Sequence, residues 1–320
     1  MNSGREDIIA ASSTGPGNGS HQILLTVDVE DWFQVENFRG IIHPSSWMKF
    51  EPRVERNTHR LLKLFAELKL GTSDYRGITS EPCPLDPVPG IHATFFILGW
   101  IAERMPRLVR EIHAMGHEVA SHGYNHELTG NCGREGLQKD IESSKKLLED
   151  IIGGPVYGYR APSFSISNDM LKAVEDCGYL YDSSYNSFSA NGRYGTVDLS
   201  GNGNVGIAKK ISAGFYELPI SNIEFAGMVV PAGGGGYFRL YPLNLFTLGV
   251  RAVLRKHNAY MFYMHPWEID SEQPRVSEAS SLSRFRHYVN LGKTMDKLRG
   301  LICGLDDCAF PTCRQYLRGC

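Results

Sequence analysis

The stretch HQILLTVDVEDW, residues 21–32, decides how the rest of the chain is read. Ile23, Leu24, Leu25 and Val27 form a short apolar run of mostly branched side chains, followed at once by Asp28, Glu30 and Asp31. A continuous apolar run of that length reads as a strand buried on both faces, the type found in parallel sheets. The acids come where such a strand ends. Asp28 and Glu30 alternate along the strand, so their side chains share a face. Asp31 points the other way and reads as structural, a cap for the next element.

Outward from that strand, helical and strand patterns alternate. Residues 54–71 carry Leu61, Leu62, Phe65 and Leu68 at helical spacing, with Gly71 as a stop. IHATFFILGW is a second strand, and Pro106 opens a helix that Gly116 closes. HEVASHGYNH is a third strand running into a loop. REGLQKDIESSKKLLEDIIG is a long amphipathic helix. VYGYRAPSFS is a strand and loop, and SNDMLKAVEDCG is a helix capped at Ser167 or Asn168. ELPISNIEF and PAGGGGYFRLYP read as β structure and a loop. LNLFTLGVRAVLRKHN is a helix, AYMFYMHPWEID a last buried strand, and SRFRHYVNLGKTMDKLRGLI one closing helix. The alternation predicts an α/β fold with a parallel sheet and outer helices, in the form of a distorted or incomplete (β/α) barrel.

The organisation expected is a disordered tail over 1–20, one domain over 21–302 with a surface insertion at 72–90, and a cysteine-containing segment over 303–320. The chain has 320 residues and a net charge of −2. That balance speaks against a nucleic-acid partner, which calls for a basic field. There is no apolar run of membrane-spanning length and no secretory signal, so a cytoplasmic location is expected. The seven cysteines form no Cys-x-x-Cys pair, and the four within 303–320 match no common zinc spacing, so they read as free thiols.

Four predicted strands end in reactive residues: Asp28 and Glu30, then His122 and His126 in SHGYNH, then Arg160 in GYRAPS, then His265 in FYMHPWE. In parallel α/β folds the carboxyl ends of the strands gather at one face, where active sites sit. Two imidazoles and one carboxylate form a common catalytic metal set that leaves a position for water. His122, His126 and Glu30 could supply it. Asp28 could take a proton, His265 could donate one, and Arg160 could hold a carboxylate in its fork. Tyr159, Trp267 and Trp32, with Pro162 beside Arg160, are candidate substrate contacts, because aromatic faces suit sugar rings. The glycine run lacks the Gly-Lys-Ser/Thr ending of a phosphate loop.

TVDVEDW, SHGYNH, GYRAPSFS and FYMHPWE, in this order, resemble the polysaccharide deacetylases of carbohydrate esterase family 4, with their NodB-type domain. DVEDWFQVENF, ATFFILGWIAER, GGGGYFRLYP and SRFRHYVNL resemble the branch associated with exosortase-linked exopolysaccharide systems. The resemblance covers roughly residues 22–300. It implies a distorted (β/α) barrel and a hydrolase that removes acetyl groups from N-acetylated sugars of a polysaccharide or its precursor. His122 and His126 match the family's metal-binding histidines, Asp28 its base, Arg160 the arginine orienting that base, and His265 its acid. The family places a metal-ligating aspartate directly after the base, where this chain has Val29, and Glu30 is the replacement expected. A divalent metal, zinc first, and an acetylated glycan are the implied cofactor and partner. An amidohydrolase of the same fold acting on a small or cyclic amide, and a metal-free carbohydrate-binding relative without activity, are the alternatives.

Overall fold

The computed structural model describes residues 21–70, 91–128, 133–188, 194–225 and 227–319. The tail to residue 20 and the insertion at 72–90 lie outside the described residues.

In chain order the elements begin with β1 (Gln22–Val29), α1 (Val54–Leu70), β2 (Ala93–Ile97), α2 (Gly99–Arg104), α3 (Pro106–Ala114), β3 (Glu118–Ser121) and α4 (Arg134–Ile152). They continue with β4 (Gly158–Tyr159), α5 (Asn168–Asp176), β5 (Tyr181–Asp182), β6 (Gly203–Val205), β7 (Ala208–Ser212), β8 (Phe215–Glu217), β9 (Ile223–Phe225) and β10 (Met228–Val230). They end with α6 (Gly235–Leu240), α7 (Leu243–His257), β11 (Ala259–Met264), α8 (Ser281–Tyr288), α9 (Leu291–Cys303) and α10 (Cys313–Gly319).

Among the described residues, nine strands form one sheet in the order β11-β1-β2-β3-β4-β5-β8-β7-β6. The pairings from β11 to β8 are parallel, and β8, β7 and β6 make an antiparallel ribbon at the far edge. The sheet curls without closing, which is the expected incomplete barrel. Lying between β11 and β2, β1 is buried on both faces, as its apolar run requires. Ile23, Leu25, Val27 and Val29 pack into the large cluster shared with the helices. Leu24 belongs to a second cluster, with Phe96, Tyr181 and Met261. The alternation of the pleat therefore sends Val29 into the core and Asp28 to the opposite face.

The helices sit where the apolar period put them. In α4, Leu137, Ile141, Ser144 and Leu148 are buried, a single stripe at helical spacing. Ser167 caps α5 by accepting from the backbone N–H of Met170. Asp31 does for α1 what its position promised: Oδ2 accepts from the backbone N–H groups of Arg53 (2.6 Å) and Val54 (2.9 Å).

Two expectations need correction. The glycine run is not a loop throughout: Gly235 starts α6. Gly234, at φ 134°, lies so close to β11 that a Cβ there would stand 1.9 Å from the Tyr263 carbonyl oxygen. Glycine is needed for that backbone approach, and the chain turns helical directly after it. The closing helix is two helices, because Asn290 adopts the left-handed conformation (φ 54°) between α8 and α9.

The segment after residue 303 is part of the packed structure. Cys313, Tyr316 and Leu317 of α10 join the inner cluster with Leu24, Phe96 and Met261. The Cys313 N–H donates to Thr94 Oγ1 and the Arg314 N–H to Glu118 Oε2, so α10 covers the amino-terminal ends of the strands. Cys303, Cys308 and Cys313 are free thiols, and Cys320 lies outside the described residues. Among the described residues, no helix is long and apolar enough to cross a membrane.

Candidate active site

At the opposite, carboxyl ends of β1, β3, β4 and β11, the predicted residues meet. The chain turns sharply after Val29, with the Glu30 N–H donating to the Asp28 carbonyl (3.0 Å), and both carboxylates reach the same space. Glu30, His122 and His126 each offer a ligand atom, all within 4.8 Å of one another, and all three residues are buried. Among the described residues this is the one such group of three or more metal-binding side chains.

The electrostatics prepare these groups as ligands. His122 Nδ1 lies 2.8 Å from the Arg160 carbonyl oxygen. A carbonyl can only accept, so Nδ1 carries the proton and Nε2 keeps its lone pair for the site. Burial holds the His122 pKa down at about 4, despite the nearby Asp28 and Glu30 carboxylates, so the ring is neutral. Burial pushes the Glu30 carboxyl up, but the imidazoles of His126 and His265 outweigh it and hold it at about 2. Glu30 Oε2 approaches His126 Nε2 to 2.7 Å, an ion-pair distance, yet that oxygen makes no hydrogen bond, and neither does His126 Nδ1. A buried carboxylate oxygen without a donor is costly. A divalent cation held by two neutral imidazoles and an ionised carboxylate would relieve it, so the donor set fits such an ion. His126 itself has φ 56°, and Arg39 secures the loop by donating to the His126 carbonyl (2.9 Å) and to Glu127 (2.6 Å).

Beside this group lies the Asp28–Arg160 pair. Arg160 is completely buried, and Nη1 donates to Asp28 Oδ1 (2.7 Å) and to Thr26 Oγ1 (2.8 Å). Nε donates to the Ser183 carbonyl and Nη2 to Ser183 Oγ. Four bonds fix the guanidinium in one pose, and Asp28 Oδ2 remains free toward the cavity.

On the other side, His265 Nε2 stands 3.5 Å from Glu30 and 3.9 Å from Asp28. Its Nδ1 is 2.7 Å from Glu268 Oε1. Burial alone would lower the His265 pKa, but Glu30, the hydrogen bond to Glu268 and the charge of Asp28 raise it to about 9. Glu268 is in turn held by Arg239, whose Nε donates to it at 2.7 Å while Nη1 and Nη2 donate to the carbonyls of His287, Val289 and Arg286. Trp267 is stacked between His265 and His287 (centroids at 5.3 and 4.2 Å) and donates to Glu30 Oε1 at 3.3 Å.

Glu268 and Arg239 escaped the sequence reading. Glu268 could have been found as the acid three residues after His265. Arg239 was hidden in a stretch taken for a loop. Of the candidate substrate contacts, Trp267 lines the cavity, while Tyr159 and Trp32 do not. Tyr159 is 1 % exposed against Tyr179 in the helix-facing core, and Trp32 is 2 % exposed against Phe33 and Phe50. Both rings fill core space. Pro162 is buried as well, and its neighbours Ala161, Ser163 and Phe164 line the cavity instead. That cavity holds about 680 Å³ and takes in Asp28, Glu30, His122, His126 and His265.

Two family descriptions match the chain: polysaccharide deacetylase over residues 89–181, and a domain of unknown function (DUF3473) over residues 183–318. The peptidoglycan-N-acetylglucosamine deacetylase of Bacillus cereus is 34% identical over 27% of this chain and 40% of its own length. The chitooligosaccharide deacetylase of Sinorhizobium fredii is 33% identical over 28% of this chain and 41% of its own length. The chain thus matches less than half the length of these relatives. The crystal structure of a Mycobacterium smegmatis protein assigned as a polysaccharide deacetylase superposes with a TM-score of 0.55 at 19% identity, over 96% of this chain and 92% of that one, which shows a shared fold.

Proposed function

We propose, from the premise that this chain belongs to the polysaccharide deacetylase family, that it is a metal-dependent hydrolase removing N-acetyl groups from the sugars of a polysaccharide or its precursor. The observation that carries this reading is the convergence of three buried ligand atoms with an arginine-held carboxylate and a carboxylate-held histidine.

Glu30, His122 and His126 would hold the ion, with zinc the first choice for two imidazoles and a carboxylate. When bound, it supplies Lewis-acid polarisation of the acetamide carbonyl and lowers the pKa of water. Asp28 accepts the proton of the attacking water through Oδ2, because Oδ1 is engaged by Arg160. His265 holds a proton on Nε2 while Nδ1 faces Glu268, and Nε2 faces the carboxylates of Asp28 and Glu30. It donates that proton to the departing sugar nitrogen, since an amine leaves poorly unless protonated. One water is consumed, and acetate and a free amino sugar are released. Phe164 lines the cavity where the sugar ring would lie, while both faces of Trp267 are taken by His265 and His287.

The test is metal content by plasma mass spectrometry on tag-free protein, wild type and Glu30→Ala, paired with acetate release from N-acetylglucosamine oligomers. The expected result is close to one transition ion per chain, lost in the variant together with acetate release. Wild-type protein that takes up no ion from added zinc would overturn the metal assignment. Full loading without acetate release from any oligomer would overturn the substrate.

A further inference from the structure

The cavity is wider than the chemistry needs, and its walls differ. Around the carboxylates and histidines they are polar and aromatic. The wall built by α6 and α8 is apolar and open: Leu240 is 46% exposed, Leu282 57% and Phe285 56%, Tyr237 stands beside them, and Val289 continues the same side of α8. Leu282, Phe285 and Val289 follow a helical spacing of three and four, so they make one face of α8 and its end rather than scattered surface residues. The inward side of the helix is separate, since His287 is fully buried against Trp267. Arg286 lies on the exposed rim of the same cavity and has no ion pair among the described residues.

An apolar patch of this kind, continuous with a ligand cavity, marks a binding surface. Phe285 and Tyr237 add rings, but most of this face, Leu240, Leu282 and Val289, lacks the chemistry of sugar recognition. Sugar rings stack on flat aromatic faces and bond to planar polar groups, whereas leucine and valine side chains offer neither. Aliphatic side chains suit a hydrocarbon chain, because every methylene taken out of water favours binding. The unpaired guanidinium beside them suits a phosphate. We propose that the α6–α8 wall seats the non-sugar end of the substrate, an alkyl or polyprenyl chain joined to the acetylated glycan through a phosphate, so that the enzyme acts on a lipid-linked precursor. This inference rests on the deacetylase reading above.

Two measurements test it. Undecyl phosphate, kept below its micelle concentration, is titrated calorimetrically into wild type, Leu282→Ser/Phe285→Ser and Arg286→Gln. Saturable binding to wild type is expected, weakened at least about tenfold in the double variant and severalfold in Arg286→Gln. All three residues are exposed, so the variants fold. Absent binding to wild type, or equal binding to all three proteins, would overturn the inference whatever the enzyme does. The second measurement is the ratio of kcat/KM for an undecyl-phosphate-linked N-acetylated trisaccharide to that for the free trisaccharide. A ratio above ten in wild type that collapses in the double variant supports the proposal, and a ratio near one overturns it while leaving the deacetylase reading intact. Hydrolysis of neither sugar sinks that reading instead, with the calorimetry still deciding what the wall binds. Sedimentation with plain anionic phospholipid vesicles separates the remaining source of the same chemistry: co-sedimentation of wild type lost in the double variant, without undecyl phosphate binding, would make the wall a membrane contact and overturn the lipid-linked substrate.

Discussion

His122 and His265 line the same cavity, and their protons behave oppositely. Burial penalises the charged imidazole equally in kind at both positions. At His122 the penalty wins and the pKa falls to about 4, while at His265 it loses and the pKa rises to about 9. The difference lies in the partners. His122 gives its Nδ1 proton to a neutral backbone carbonyl, that of Arg160. His265 gives its Nδ1 proton to a carboxylate, Glu268, and has Glu30 beside Nε2. A carbonyl fixes a tautomer, whereas a buried carboxylate also favours the positive charge. One imidazole is thereby prepared as a lone-pair donor and the other as a proton donor, within a single cavity.

If that division holds, removing a histidine from each side gives different losses. His126→Ala should abolish metal loading and reduce kcat/KM by about 10³-fold or more, since several kcal/mol of charge stabilisation go with the ion. His265→Asn should reduce kcat by roughly 10²–10⁴-fold while metal content stays at the wild-type level. Metal analysis and turnover on the same preparations check both. Metal loss in His265→Asn would merge the two sides and erase the contrast.

A smaller effect sharpens it. Glu268→Gln keeps the shape of the partner and one acceptor oxygen but removes its charge. The expected outcome is a fall in kcat of about 10–100-fold with unchanged metal content, the scale usual for supporting residues around a functional imidazole. The variant also leaves Arg239 without its carboxylate, so some loss of thermal stability accompanies it. Unchanged kcat would mean that Glu30 alone keeps His265 charged.

The β3 side of this contrast was legible in the sequence and the β11 side only partly. Asp28, His122, Arg160 and His265 each close a strand or follow one directly, with His126 on the loop leaving β3, and parallel strands bring such positions together whatever the details of the helices. The local sequence therefore sufficed for them. Arg239 reaches Glu268 only because Gly234 lets the chain lie against the backbone of β11 just before a helix starts, and local propensity reads such a glycine run as loop. The antiparallel ribbon of β6, β7 and β8 has short, weakly patterned strands, with Gly203 and exposed Asn204 in β6, and gave no clear period. Tyr159 and Trp32 were misplaced for a different reason: an aromatic residue beside a site in sequence can face either side of the backbone, and here both face the core.

The smallest expected effect sets two neighbouring carboxylates against each other. Glu30 and Asp31 are both buried and adjacent in the chain, yet their partners divide them as the two histidines are divided. Glu30 meets imidazoles, while Asp31 accepts from the backbone N–H groups of Trp32, Arg53 and Val54. Burial raises the Asp31 pKa to about 6 against the pull of those three donors, so the group serves the start of α1 at some electrostatic cost. Asp31→Ala should therefore lower unfolding stability by about 1–3 kcal/mol, as expected for a lost cap that leaves buried donors unpaired. Metal content and kcat of the folded variant should stay within about twofold of wild type, the margin expected when no group touching the site is altered. Glu30→Gln should do the reverse, weakening metal binding with little change in the urea midpoint. If Asp31→Ala lost the metal and Glu30→Gln kept it, the third ligand would be Asp31, and the turn after Val29 would have a purpose other than bringing Glu30 into the cavity.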